Sequence, residues 1–496
     1  MRMTTLGYRV TRVNKRKLPM TTQLPSAASL SRRWLRTLLA CATALALSGV
    51  AFPLSAAGRF AVAMQAAGQV FVPLLVVPPP SKAYYVDCTG GNDANSGTAE
   101  SAAWKSLAKA RTAPLAPGDR LLFKRGCTWT GPLYLDWNGG SGRPIIIDAY
   151  GSGYLPIVQN AQYDVIIRGT NLLIQNLAAR GTPQSYDPGC QNQPKGWQHG
   201  FRFESGASYN TLRYSQATGL THGVKIVSGA HHITIVNNVF AGNNLMYTLD
   251  ASNPSNDAGA NGIVLEGDDN EIAYNQISGS EACSFDFGRD GSAIEVFGGQ
   301  RNRVHHNTAT NNATFTELGT SRSADNTFAY NLVTSSTAKA NFLVTEGAGG
   351  GRGPVLRTKA YNNTVYLTNP TSIAINCDGG CATNVLTLKN NIIWSEGKIG
   401  YTDQPCDEAN NLFWKADGKP GIFFPTPSNK SPTSKIANPQ LIKASVGGGD
   451  FRLGAASPAR DAGTVESLQA GFDVDLVWVT VPQGAGVDIG AYEYKP

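Results

Sequence analysis

Residues 327–333 read Thr327-Phe328-Ala329-Tyr330-Asn331-Leu332-Val333: a short strand-forming run, an Asn, then apolar residues. The same Asn-x-apolar frame recurs at Asn176, Asn237, Asn275, Asn307, Asn363, Asn390 and Asn411, and Ser215 fills it once in place of Asn. Comparable runs precede the other positions, among them Ile233-Thr234-Ile235, Glu271-Ile272-Ala273-Tyr274 and Leu386-Thr387-Leu388. The shortest intervals are 21, 22 and 24 residues (390–411, 215–237 and 307–331). A recurring period of ~20–50 residues marks a repeat architecture. Each unit here holds short strands and no helical period, which predicts coils of a parallel β-helix stacked ~4.8 Å apart. Parallel strands joined by crossovers take the right hand. The expected fold is therefore all-β: a right-handed parallel β-helix, a solenoid, over residues 161–440. The Asn has a physical task in it. A buried turn leaves backbone groups unpaired, and a side-chain amide can pair one of them while bonding to the amide above. Asn also tolerates left-handed turn conformations. Asn237, Asn275, Asn307 and Asn331 are thus expected at one corner.

Charge separates a leader from the working chain. Ten of the 42 Lys and Arg lie in residues 1–81, which hold no Asp or Glu; from Lys82 onward 32 basic side chains face 35 acidic ones. The formal charge of +7 therefore says nothing of nucleic acid, and none is expected as a partner. Residues 1–57 read as an export leader: Arg32, Arg33 and Arg36, then an apolar segment from Leu38 to Val50, then a small-residue cleavage site at Ser55-Ala56-Ala57. Ser31-Arg32-Arg33-Trp34-Leu35-Arg36 resembles a twin-arginine export motif. The apolar segment is too short for a membrane span. The expected location is secreted or extracellular, as a monomer, with no membrane contact once the leader is removed. Residues 58–81 read as a linker, 82–160 as an N-terminal capping region and 441–496 as a C-terminal closing segment.

Seven cysteines follow the leader, and export permits disulfides. Cys88 can pair with Cys127, and Cys377 can close a tight loop with Cys381. Cys190 and Cys283 lie in long insertions, and Cys406 is left over. Trp104 to Ala110 reads as a short capping helix, covering the open sheet edge.

The runs YYVDCTGGNDANSGT (84–98), WKSLAKA (104–110), PGDRLLFKRGCTWTGPL (117–133) and PIIIDAYGSG (144–153) resemble the opening of secreted right-handed parallel β-helix proteins of the pectate-lyase-like superfamily. Ser457-Pro458-Ala459-Arg460-Asp461-Ala462-Gly463 and Asp488-Ile489-Gly490-Ala491-Tyr492-Glu493 resemble their closing segment. The resemblance implies the fold and secretion. It leaves the activity open, because that group holds lyases, hydrolases, epimerases and surface proteins.

Four strand-like runs align coil on coil: those beginning at His199, His222, Asn261 and Ser292. Insertions at 183–197, 243–259, 279–290 and about 310–321 adjoin them. Insertions at one equivalent position of a solenoid fall on one face and wall a groove. Alternation turns Phe201, Phe203, Val224, Ile226, Ile263 and Leu265 inward, and sends Arg202, Lys225, Val264 and Glu295 outward in one stripe. His199 and His222 stack beside the stripe, with Glu204 and Glu266 at its far end. Gly267-Asp268-Asp269 reads as a turn, and the His231-His232 and His305-His306 pairs as corner residues.

The leading functional expectation is a polysaccharide lyase acting on an acidic extracellular polysaccharide by β-elimination. Lys225 or His222 is its base and Arg202 its charge neutraliser. A glycoside hydrolase using Glu266 and Glu295 as paired carboxylates is the alternative. A non-catalytic glycan-binding or cell-surface protein is the third reading, with Trp197 and Tyr247 stacking on sugar rings. His199, Glu204 and Arg289 are further substrate-binding candidates, and Asp286 with Asp290 is the candidate Ca²⁺ site.

Overall fold

Three long parallel sheets of twelve, eleven and twelve strands carry the chain, and each coil visits all three in turn. A computed structural model describes residues 82–496 apart from 188, 194, 254, 255 and 426–428. The expected leader and linker lie outside the described residues. The right-handed parallel β-helix expected from the repeat is the observed architecture. Among the described residues, no helix is long and apolar enough to cross a membrane.

The eleven-stranded sheet contains β1 (His199–Phe203), β2 (His222–Ile226), β3 (Asn261–Leu265), β4 (Ser292–Phe297), β5 (Thr314–Gly319) and β6 (Asn341–Glu346), stacked in that order. Phe201, Phe203, Val224, Ile226, Ile263 and Leu265 are completely buried in the lumen, as alternation requires. The glycines after His199 and His222 are steric: a Cβ on Gly223 would stand 2.7 Å from the carbonyl oxygen of Gly262 on the next coil.

The Asn repeat builds a ladder. Asn275 Oδ1 accepts from the backbone N and the Nδ2 of Asn238, both at 3.0 Å. Asn307 receives the same pair from Asn275, and Asn331 from Asn307. The ladder continues through Asn363 and Asn391 to Asn411. Three registers differ from expectation: Asn176 takes the left-handed turn at φ 57°, and Leu177 holds the ladder position, its N donating to Ser215 Oγ. The ladder residue is Asn238 rather than Asn237, and Asn391 rather than Asn390. The first Asn of each pair takes the left-handed turn, with φ of 57° and 60°. Tyr274, His306 and Tyr330 occupy that same preceding position, at φ 57°, 55° and 53°. Left-handed geometry and amide pairing therefore belong to successive residues, not to one Asn. A second ladder, Asn270–Asn302–Asn326, lines the other end of the neighbouring sheet's strands, with the same pairing at 3.0 Å.

Both ends of the described chain differ from the expected boundaries. The sheets already begin at Ala83–Val86 and Arg120–Lys124, so residues 82–160 contribute coils as well as an end. α1 spans only Leu107–Ala110, started by Ser106 Oγ accepting from Lys109 N at 3.1 Å. Trp104 pairs with Val86 in the sheet and stacks on Tyr84 instead of entering the helix. The C-terminal segment runs back beside the coils and does not sit across the far end. Ile489 and Ala459 pack on Ile392 and Leu412. Asn362 Nδ2 donates to Asp488 O at 2.8 Å, and Ala491 N to Thr364 Oγ1 at 2.9 Å.

The pairs Cys88–Cys127, Cys190–Cys283 and Cys377–Cys381 form, leaving Cys406 free among the described residues. The second ties two insertions together. With Met246, Leu249 and Ala282 it makes a small apolar core outside the solenoid. Three of the four expected insertions lie outside the three long sheets, the second of them pairing Met246–Thr248 antiparallel with Ala258–Gly259. The fourth, about 310–321, contains β5 and belongs to the sheet.

Candidate functional site

Outward-facing side chains of β1 to β5 form one in-register column: Arg202, Lys225, Val264, Glu295 and Glu317. Val264 is the short member, so a hollow opens between Lys225 on one side and the two glutamates on the other. The insertion loops roof it with Tyr247, Asp257 and Asp290. The resulting cleft encloses about 240 Å³.

Carboxyl groups dominate it. Glu295 and Glu317 occupy neighbouring strands in direct register, a separation of ~4.8 Å between strands. Burial, and then the charge of Glu317, pushes Glu295 up to about 7. Burial also raises Glu317, with Glu346 adding to the effect while Arg352 opposes it. Arg352 Nη1 stands 3.8 Å from Glu317 Oε1. Asp290 is raised well above the carboxylate range by burial and by both glutamates. Like charges this close cannot all ionise, so protons are retained near neutral pH. Asn261 Nδ2 donates to Glu295 Oε2, and Asn261 Oδ1 accepts from Ser292 N at 2.9 Å. The amide thereby fixes which way the Glu295 carboxyl points.

Lys225 is engaged. Its Nζ lies 2.6 Å from Glu266 Oε1 and 5.6 Å from the centre of the Trp197 ring. Trp197 packs on Tyr247 at 4.1 Å between centroids and on His199 at 4.5 Å. Its Nε1 donates to Tyr163 OH at 2.7 Å. His199 and His222 stack at 4.7 Å. Burial holds both imidazoles well below their usual value, helped for His199 by Arg202 and for His222 by His199. They are neutral aromatic packing beneath Trp197.

The structure thus brings Lys225, His222, Glu266, Glu295, Trp197, Tyr247 and Asp290 to one cleft. Other expected residues stand apart from its lining. Arg202 pairs with Glu204 at 2.9 Å, one coil away from Lys225. Arg289 pairs with Glu281 at 2.7 Å and lies over Tyr186, 3.7 Å from its ring centre, so it holds the loop. The Asp286 carboxylate accepts from Ser284 Oγ and from Phe287 N. Among the described residues, the one group of three or more His, Cys, Asp or Glu whose ligand atoms lie within 4.8 Å of one another is Asp87, Cys88 and Cys127, which does not include Asp286 or Asp290. Glu266 is not the register neighbour of Glu295; Val264 is.

Sequence reasoning missed Glu317, Arg352 and Asn261. Glu317 carries a readable signal: Thr314-Phe315-Thr316-Glu317 repeats the polar–apolar frame of Ser292-Ala293-Ile294-Glu295. Arg352 comes from a Gly-rich loop and has no periodic signal at all.

No family model matches the chain. A segment of 73 residues is 44% identical to a lacto-N-biosidase of Bifidobacterium longum subsp. longum, taking in 14% of this chain and only 4% of that protein's length. Among solved structures, the chain is similar to pectate lyase Pel9A, with a TM-score of 0.54 at 16% identity over 85% of this chain and 98% of that one. A GH136 lacto-N-biosidase from Eubacterium ramulus matches at a TM-score of 0.35 and 13% identity, over 72% and 67% of the two chains. The likeness to Pel9A shows the fold, a parallel β-helix.

Proposed function

We propose that the protein is a glycoside hydrolase acting outside the cell, with Glu295 and Glu317 as its catalytic pair. The observation that carries this is their register: two carboxyls on adjacent outward positions of β4 and β5, facing one cleft. Adjacent strands place them near the ~5–5.5 Å separation of retaining chemistry rather than the ~6.5–9.5 Å of inverting chemistry. Glu317 is the nucleophile, with the Arg352 guanidinium opposing the upward push of burial on its carboxyl. Glu295 is the acid, raised by burial and by the Glu317 charge to about 7, so that a large share of it keeps its proton near neutral pH. Glu295 protonates the leaving glycosidic oxygen as Glu317 bonds to the anomeric carbon. Glu295 then takes a proton from water, whose oxygen displaces Glu317 and restores both groups. Asp290, kept neutral, donates to a sugar hydroxyl, and the Trp197–Tyr247 pair offers aromatic surface to a ring. The leader and the disulfides support action outside the cell.

The acid excess of the cleft disfavours an anionic uronate as the reacting unit. The expected lyase base, Lys225, is tied to Glu266. One observation favours a lyase all the same: Lys225 borders the same cleft, in a fold similar to that of a pectate lyase. A panel of neutral and acidic glycans, read for both reducing ends and ultraviolet absorbance, separates the two. Reducing ends without absorbance, lost in Glu317→Gln, are expected. An unsaturated product abolished by Lys225→Ala would replace this reading by the lyase.

A further inference from the structure

Around the corner from the catalytic strands, the same coils carry a second and larger cleft, of about 480 Å³. Its floor is the outer face of the neighbouring sheet. Two in-register columns cross it: Thr211, Thr234, Glu271 and Arg303, and beside them Arg213, Val236, Ala273 and His305. Thr234, Val236 and Ala273 in the middle are short and leave a trough. Arg213 and Arg303 stand at its two ends, three coil spacings or ~14 Å apart.

The C-terminal segment forms one wall, and it is firmly placed. Arg303 Nη1 donates to Ala470 O at 2.9 Å, and its guanidinium lies 4.3 Å from the centre of the Phe472 ring. His306 Nε2 donates to Val474 O at 3.0 Å, and burial, with His305 beside it, keeps that imidazole neutral. The rim is aromatic. Trp478 lies flat on Tyr274, with centroids 4.3 Å apart, and is still 37% exposed. Tyr214, next to Arg213, is 51% exposed. Arg213 bonds through Nε to Gln175 at 2.7 Å and has no acidic partner among the described residues.

We propose that this trough binds an oligosaccharide chain without cleaving it. Exposed aromatic faces take the apolar face of a sugar ring. The free guanidinium nitrogens of Arg213 and the Thr211 and Thr234 hydroxyls suit ring hydroxyls. Two carboxylates line the trough, Glu271 on its floor and Asp473 on the C-terminal wall; Glu271 is already held by His305 at 2.5 Å and by Arg303 at 3.4 Å, so it is not free to work as one of a hydrolytic pair. A chain anchored here raises the local concentration of glycan beside the catalytic strands on the same coils.

Binding of the full Glu295→Gln protein to an array of defined oligosaccharides of four or more units tests this. The expected result is retention of a subset of glycans, with affinity falling about tenfold or more when Arg213→Ala and Trp478→Ala are added. If Trp478→Ala perturbs the melting temperature, Arg213→Gln with Tyr214→Ala gives the same reading without disturbing the Trp478–Tyr274 stack. No retained glycan, or affinities unmoved by these changes, would overturn the proposal. Turnover by the unaltered protein on the same panel reports separately on hydrolysis. A protein that binds through the trough and cleaves nothing would keep this inference and remove the hydrolase.

Discussion

At the scale of single residues, the ladder and the acid cluster make opposite demands on polar groups. Asn331 accepts two bonds from Asn307 and donates to Val304 O and Asn363 Oδ1, all near 3.0 Å and all buried. Asn331→Leu strands these partners, and a denaturant titration should show a loss of about 1–3 kcal/mol or more. The same change at Asn237, exposed and outside the ladder, should cost less; equal costs would refute the register. Glu295, by contrast, is stabilised in its protonated form. Its folded value near 7 lies above the usual glutamate value of 4.5. The stability it contributes is full below about 4.5 and is lost as pH rises through about 7. The melting temperature should fall across that window, and the fall should flatten in Glu295→Gln. Hydrolysis should decline above pH 7 as the acid loses its proton, and Glu295→Gln should lower kcat by about 10²–10⁴-fold.

At the scale of elements, the wall over the cleft is built from loops with little core of their own. The Cys190–Cys283 bond joins segments 93 residues apart, and Asp257 links the two later loops by accepting from Phe285 N at 2.6 Å. Replacing both cysteines by Ser should leave the solenoid's far-ultraviolet melt little changed. It should speed proteolysis within 242–260 and 279–291 and lower kcat/KM. A melt that collapses together with activity would mean that the wall is part of the folding unit. Three insertions are legible in the sequence because each interrupts a repeat of known frame. β5 is not, because the coil from β4 to β5 is short and reads like another interruption. Mistaking that coil for a loop hides Glu317 and makes Glu266 look like the partner of Glu295.

At the scale of the whole molecule, the C-terminal segment matters more than an end cap would. Residues 441–496 cover Tyr330, Tyr361, Ile392 and Leu412 on the outside of the coils. Ending the chain at residue 440 should uncover this apolar face and give aggregation or a clearly lower melting temperature; an unchanged monomer would show that the segment is dispensable. The architecture could be read from the chain because a solenoid is made of local repeats: alternation, β-branched runs and one Asn per coil each act within about 20–40 residues. The outward stripe was legible for the same reason. Which residue of an Asn pair enters the ladder was not, because both satisfy the frame and only the stacked coil selects the one whose amide meets its neighbour. The site was legible only in part. Lys225, Glu295 and Trp197 lie on strands or loops whose place the repeat predicts. Their partners Glu317, Arg352 and Glu266 are chosen by lateral register and loop folding, contacts between positions far apart in sequence. Those contacts leave Lys225 paired and Glu295 protonated, and so move the candidate chemistry from elimination to hydrolysis.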